Sequence, residues 1–308
     1  MIPEVTVVIP TYNSAYLLRR AIRSVLEQTF TDWEILVIDN NSTDSTDEVL
    51  CEIRDTRIRV LKVRNEGVIA VSRNLGVREA RGRWVAFLDA DDWWDMTKLE
   101  ESVDALRRGA DVVYHDLRCV RRGLLNFRKL IRSRQLSCPV RHDLIKNGNA
   151  LLNSSVVIDR SLLVAVGGQD EDPNLIAAED YDCWIRVANI TEKFCRIPRV
   201  LGSYWISDSN VSSPKRAICW LSAIKDRYIN VKELHGVRTL PHWYSLAMVK
   251  SCIRLSDYAQ AKRFIHLSLA NAKERGFWHQ SKLFFSYVLI ILVSVNVKFI
   301  RKSPGPLL

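Results

Sequence analysis

Asp89-Ala90-Asp91-Asp92 follows the apolar run Trp84–Leu88 and sets acids two residues apart at its end. Alternate residues of an extended backbone point the same way, which would put the Asp89 and Asp91 carboxylates on one side. Such a pair suits a hard divalent cation, Mg²⁺ or Mn²⁺, which takes one or two protein oxygens and completes its shell with water and a substrate diphosphate. The competing reading is a plain turn, because Asp is a common turn former. Two other apolar runs also end in polar residues, Pro10-Thr11-Tyr12-Asn13 and Asp39-Asn40-Asn41. Further on, Glu179-Asp180 opens a segment in which Tyr181, Trp184, Ile185 and Ala188 share one helical face. Neither G-x-G-x-x-G after the first run nor G-x-x-x-x-G-K-[ST] occurs, which disfavours a dinucleotide oxidoreductase and a P-loop hydrolase. Phosphates would have to be handled by a metal and side chains.

The elements that must carry these residues follow from periodicity. Val5–Ile9, Ile35–Ile38, Ile58–Val63 and Trp84–Leu88 are apolar runs of strand length, and Ser155–Ile158 reads as another strand. Between the first two, Leu17, Leu18, Ala21, Ile22, Val25 and Leu26 have the spacing of one helical face. Ser45-Thr46-Asp47-Glu48 has the form of a capping box before a short helix, and a helix is predicted over about 68–80. Alternating strands and helices imply a mostly parallel sheet covered on both faces. In such sheets ligands bind at the carboxyl ends of the strands, where the polar and acidic residues fall. From about residue 217 the chain reads as helical, with Tyr244–Gly276 spaced like a helical hairpin.

With 308 residues, 47% hydrophobic and 26% charged, the chain can bury a real core, and disordered or collagen-like readings are excluded. Seven cysteines without C-x-x-C spacing argue against a disulfide framework or a zinc ribbon and for a reducing compartment. No leader peptide is visible, since Glu4 interrupts the first apolar run. The net charge of +10 is unevenly placed: residues 1–214 hold 29 Lys/Arg against 31 Asp/Glu, and 215–308 hold 16 against 4. Residues 118–146 carry nine basic side chains against the single acid Asp143. These clusters suggest an anionic membrane surface, a phosphate-bearing ligand or nucleic acid, with a solvated basic face as the alternative. Leu283–Ile300 is the most apolar window, marginal as a span. An interfacial helix and a docked core helix fit it equally.

Six blocks follow one another along the chain: Thr6-Val-Val-Ile-Pro-Thr-Tyr-Asn13, Val37-Ile-Asp-Asn-Asn-Ser-Thr-Asp44, Ser72-Arg-Asn-Leu-Gly76, Phe87-Leu-Asp-Ala-Asp-Asp92, Gly167-Gly168 and Glu179-Asp180-Tyr-Asp-Cys-Trp184. In their order and spacing the chain resembles the family 2 glycosyltransferases over about residues 4–205. The resemblance implies the α/β GT-A fold, a mostly parallel central sheet with helices on both faces, and here a C-terminal helical segment. It implies a catalytic domain over 1–214, with a nucleotide-binding half of about 1–117 and an acceptor half of about 118–214, followed by the basic region 215–308. It further implies inverting transfer of a sugar from a nucleotide diphosphate sugar, expected to be UDP-linked, to an acceptor hydroxyl, with Mg²⁺ or Mn²⁺ as cofactor.

Carried over residue by residue, Pro10, Thr11 and Tyr12 resemble the loop that packs on the base, and Asp39 the acid that bonds its edge. Arg73 and Asn74 lie where the family faces the nucleotide or diphosphate. Asp89 and Asp91 are similar to the motif that binds ribose and the diphosphate-bound metal. Asp180 matches the general base, while Glu179, Asp92 and Trp184 are expected in the acceptor side or just behind the site. The alternatives are a core role for Tyr12 and capping roles for Asp39, Asp44, Glu179 and Asp180. Asn40 and Asn41 replace a more frequent Asp and Gly, and Gln169 stands where an aromatic commonly follows Gly-Gly. The expected acceptor is a glycan on a lipid carrier, in cell-surface polysaccharide synthesis. The expected location is the cytoplasm, with peripheral attachment to the cytoplasmic membrane face. The rival reading is a non-catalytic nucleotide-sugar-binding or scaffold protein at the membrane. No nucleic-acid module stands behind the basic tail, so nucleic acid is not an expected partner.

Overall fold

The computed structural model describes residues 2–121, 129–206, 213–229 and 240–270. The elements in chain order begin with β1 (Val5–Thr11), α1 (Ala15–Leu26), β2 (Trp33–Asp39), α2 (Thr46–Glu52), β3 (Ile58–Lys62) and α3 (Ile69–Glu79). β4 (Trp84–Phe87), β5 (Trp93–Trp94), α4 (Lys98–Arg107), β6 (Val112–Arg121), β7 (Lys129–Ile131) and α5 (Val140–Asn147) follow. Then come β8 (Val157–Asp159), α6 (Arg160–Ala165), α7 (Glu179–Val187), β9 (Phe194–Ile206), α8 (Pro214–Tyr228), α9 (His242–Arg254) and α10 (Tyr258–Ala270).

The strands form one sheet in the order β3-β2-β1-β4-β8-β6-β9-β5, with β7 paired to β6. The half from β3 to β4 is parallel throughout, in register from Val5 opposite Trp33 to Thr11 opposite Asp39. This is the doubly covered sheet that the strand-helix alternation implies. Val5, Val7 and Ile9 point to one face, where Leu18, Ile22 and Val25 of α1 and Leu99 and Val103 of α4 close the main core. Val8 and Phe87 serve the other face, under α3 and α7: a Cβ at Gly76 would lie 2.4 Å from Val8 Cγ1, and Phe87 packs on Trp184 at 6.4 Å. Gly76 therefore sets how closely α3 approaches β1.

Beyond β4 the sheet is mixed. β8 runs antiparallel to β4 and β6, β6 and β9 run parallel, and β5 and β7 are antiparallel additions. β6 and β9 were not foreseen from the sequence, because His115, Asp116 and Arg118 interrupt one and Arg196, Pro198 and Arg199 the other. Their pairing is satisfied across some 80 residues, with two register shifts near Asp116. The capping box before α2 also differs from expectation. Ser45 makes no side-chain cap. Asp44 instead accepts from Thr46 N (3.1 Å) and Thr46 Oγ1 (2.5 Å) with one oxygen, and caps α1 through Ala15 N (3.0 Å) with the other.

Two compact units are present: residues 1–144 with 149–211, and residues 145–148 with 212–308. In the second, Leu221, Ile229, Tyr244 and Met248 form one apolar cluster and Val249, Cys252, Ala261 and Ile265 another. α9 and α10 form the expected helical hairpin, and its predicted end at 271–276 lies outside the described residues. Leu283–Ile300, with its flanking Lys282, Arg301 and Lys302, also lies outside them. Among the described residues no helix is long and apolar enough to cross a membrane. All seven cysteines are free thiols.

Candidate active site

The carboxyl ends of β1 and β2 lie side by side. Thr11 sits opposite Asp39, and Asn40 N donates to Thr11 O at 2.9 Å. Pro10 is buried within β1; Thr11 Oγ1 is buried and finds no partner among the described residues. Tyr12 is 56% exposed, which removes the core reading and leaves its ring facing solvent at the strand end. Asp39 is fully buried. Its carboxylate accepts from Ser42 N (3.1 Å), Ser42 Oγ (2.5 Å) and Lys62 Nζ (2.8 Å), so it organises the loop after β2. Lys62 is shared with Asp47 at 2.6 Å. Burial opposes ionisation of Asp44, yet its bonds from Thr46 and Ala15 hold its carboxyl below the usual range.

The acids after β4 stand in a turn rather than on extended backbone: Asp92 N donates to Asp89 O at 2.9 Å. Asp89 N donates to Ser154 Oγ (3.2 Å), and the Asp89 carboxylate accepts from Arg73 Nη2 (2.7 Å). The Asp91 carbonyl accepts from Arg20 Nη2 (2.7 Å), whose guanidinium lies 3.6 Å above the Trp93 ring. Asp92 is buried and ties the turn to β9, accepting from Trp205 N at 2.9 Å. Burial, and then repulsion from Asp89, push the Asp91 carboxyl up to about 6. Burial and the same neighbours push Asp92 well above the carboxylate range. Asp91 and Asp92 are thus short of positive charge, whereas Asp89 is paired with Arg73.

Opposite this turn, α3 and α7 meet. Arg73, 4% exposed, donates from Nη1 to Glu179 Oε1 (2.7 Å) and Gln169 Oε1 (3.1 Å), and from Nη2 to Asp89. Burial works against its charge, but Asp89 and Glu179 outweigh it and keep the guanidinium protonated beyond its usual range. Asn74 bonds Gln169 through both amide atoms, Nδ2 to Gln169 O (2.7 Å) and Oδ1 from Gln169 N (2.8 Å). That approach requires glycine at 168: its φ is +77°, and a Cβ there would stand 2.3 Å from Asn74 Oδ1. Glu179 and Asp180 begin α7 after Ala177, which has φ +75°. Asp180 is half-buried and accepts from its neighbour Tyr181 N at 2.6 Å. Burial, then Glu179, raise its carboxyl to about 7, with Arg73 acting against the rise. Trp184 is fully buried against Phe87 and supports α7 from beneath.

The fold thus gathers Arg73, Asp89, Asp91, Asp92, Glu179 and Asp180 around the ends of β4, α3 and α7. Asn74 stands behind them, and Asp39 and Tyr12 belong to the neighbouring strand ends. Asn153, Ser154, Arg20 and Tyr204 carry no sequence signal that marks them, while Gln169 stood out only as a departure expected to reshape the acceptor side. Arg20 lies on the polar side of α1. Tyr204 on β9 has its phenol raised by burial and then by Asp92, Asp89, Asp91 and Asp180, which places it among the same acids. Chemically, the arrangement offers a carboxyl that exchanges its proton near neutrality, beside acids able to hold a hard cation.

A model of glycosyl transferase family 2 matches residues 6–157. The chain is 31% identical over 216 residues to the Escherichia coli UDP-Glc:alpha-D-GlcNAc-diphosphoundecaprenol beta-1,3-glucosyltransferase WfgD, covering 68% of this chain and 80% of that protein. It is 26% identical over 257 residues to the putative teichuronic acid biosynthesis glycosyltransferase TuaG of Bacillus subtilis, covering 82% and 97%. Among solved structures, S. aureus TarS 1-349 in complex with UDP-GlcNAc aligns with a TM-score of 0.60 at 17% identity, covering 86% of this chain and 81% of that one. The mannosyltransferase PcManGT from Pyrobaculum calidifontis, in complex with GDP-Man and Mn²⁺, aligns at 0.57 and 19% identity, covering 94% and 81%. These two alignments speak to the fold.

Proposed function

The chain belongs to the family 2 glycosyltransferases and moves a sugar from a nucleotide sugar to an acceptor, and from that premise we propose an inverting, metal-dependent enzyme with Asp180 as general base. The observation that carries this reading is the half-buried Asp180 carboxyl, raised to about 7, on the same charge-linked cluster as Asp89. As the acceptor oxygen attacks the anomeric carbon from the face opposite the diphosphate, Asp180 takes the hydroxyl proton. The bond from that carbon to the diphosphate oxygen breaks, and its electron pair leaves with the nucleotide diphosphate. A base poised near neutrality suits this transfer.

The residues present fit Mg²⁺ or Mn²⁺. Asp91 and Asp89 supply hard oxygens in a turn crowded with negative charge. No group of three His, Cys, Asp or Glu side chains among the described residues forms a closed cage. The remaining positions suit water and the donor diphosphate, as these ions prefer. Bound there, the metal would neutralise charge developing on the leaving diphosphate. Pro10, Thr11, Tyr12 and Asp39 form the nucleotide end, with Tyr12 offering its exposed ring to the base. Glu179, Asp92 and Trp184 support the reacting groups from behind.

The donor is proposed to be UDP-linked and the acceptor a lipid-linked glycan of a surface polysaccharide. Support comes from the Escherichia coli relative, whose name specifies UDP-Glc and a diphosphoundecaprenol acceptor. A screen of nucleotide sugars with Mn²⁺ and a polyprenyl diphosphate-linked GlcNAc acceptor tests it. The expected result is turnover of a UDP-sugar, loss of turnover with EDTA, and a β product from an α donor by NMR. Retained configuration or indifference to EDTA would refute the mechanism, and turnover of no nucleotide sugar would refute the enzyme.

A further inference from the structure

Gln169 lies two residues past the start of a glycine turn and is 2% exposed. Its backbone N and O are both bonded to Asn74, its Oε1 accepts from Arg73 Nη1 (3.1 Å), and its Nε2 donates to Asn153 Oδ1 (3.1 Å). Asn153 directly precedes Ser154, whose Oγ accepts from Asp89 N. The Asp89 carboxylate accepts in turn from Arg73. The contacts therefore close a ring: Asp89, Arg73, Gln169, Asn153, Ser154 and back to Asp89. The ring holds Asp89 by its carboxylate and its amide together. Arg73 extends from it to Glu179, the residue before Asp180.

We propose that Gln169 is a positioning residue for sugar transfer: by closing this ring it fixes the Arg73 fork between Asp89 and Glu179. It thereby fixes the distance from the diphosphate-side acid to the helix that carries the base. The inference rests on the roles given above to Asp89 and Asp180. A buried amide is well suited to the task because it supplies an acceptor to Arg73 and a donor to Asn153 without adding charge to an already acidic cluster. A phenylalanine at 169 could do neither. Gln169 touches no reacting atom and acts only through Arg73 and Asn153. Among the described residues, the nucleotide end at Tyr12 and Asp39 shares no bond with this ring.

Alignment errors near an ångström cost about a hundredfold in rate, so the effect should fall on kcat. With the nucleotide sugar that the wild type turns over, Gln169→Leu should lower kcat about 10- to 100-fold, while calorimetric affinity for UDP with Mn²⁺ stays within about threefold. Asn153→Ala opens the ring from its other side and should lower kcat in the same direction, which secures the test if the Leu variant does not fold. Wild-type kcat in both ring-opening variants, or UDP affinity that falls in step with kcat, would overturn the inference alone. A wild type that turns over no nucleotide sugar would overturn the functional reading and this inference with it.

Discussion

Asp180 is the side chain on which the proposed chemistry depends. Its carboxyl is raised to about 7 by burial and then by Glu179. A base works only when ionised, so kcat/KM should fall as pH drops through about 7 and level off above it. Asp180→Asn should lower transfer roughly 10²- to 10⁴-fold, with UDP affinity unchanged by calorimetry. Near wild-type transfer would place the base elsewhere. Asp91 differs in kind, since its expected role is to hold a cation against a diphosphate. Asp91→Asn loses the charge that a hard ion requires. Mn²⁺-dependent UDP binding should weaken and metal-independent binding should persist, as titration with and without EDTA would reveal. Both acids were legible as residue types at a spacing. Arg73 was legible as a site residue too, but its partners were not: a contact from Arg73 to Glu179 spans 106 positions, and nothing in either local segment specifies it.

At the scale of elements, the glycine turn before α7 and the start of α4 make opposite predictions. Gly168 combines φ +77° with Asn74 Oδ1 2.3 Å from a would-be Cβ. Gly168→Ala must strain the backbone and break the Asn74 contact, and should cost about 1–3 kcal/mol in urea unfolding. Lys98, at the start of α4, is fully buried with no hydrogen-bond partner for Nζ among the described residues. Burial drives its pKa well below the usual lysine value. The Trp94 ring 3.7 Å from Nζ favours the charged form, but a cation–π contact of about 2 kcal/mol is smaller than the cost of burying an ammonium without a hydrogen bond. Lys98 is therefore buried at a standing cost, and Lys98→Met should raise the urea midpoint. An unchanged or lower midpoint would show that the amine is satisfied. The helices and strands of the first half could be read from periodicity because their pairings are parallel and buried on both faces. β6 and β9 could not, since polar residues within them find partners far along the chain: Asp116 accepts from Ser133 and Arg196, and Arg118 donates to Ser203.

For the whole molecule, charge is the property with a consequence. The sixteen basic residues against four acids after residue 214 suit an anionic surface. Full-length protein is expected to sediment with phosphatidylglycerol vesicles at low salt and to be released as salt rises. Failure to sediment at low ionic strength would remove membrane attachment. The amino-acid sequence by itself determined the doubly covered sheet, the strand ends at which polar and acidic residues gather, and the family. Those properties arise from local periodicity, turn chemistry and ordered motifs, all of which are written in neighbouring residues. Only the tertiary structure decided that Asp39 is occupied by Ser42 and Lys62, that Asp44 caps two helices, and that Gln169 closes a ring around Asp89. The first and the last depend on which groups burial leaves without water, because a buried polar atom takes whichever partner the fold brings near, whatever its distance along the chain; Asp44 is exposed, and its role follows from the fold's bringing the starts of two helices together.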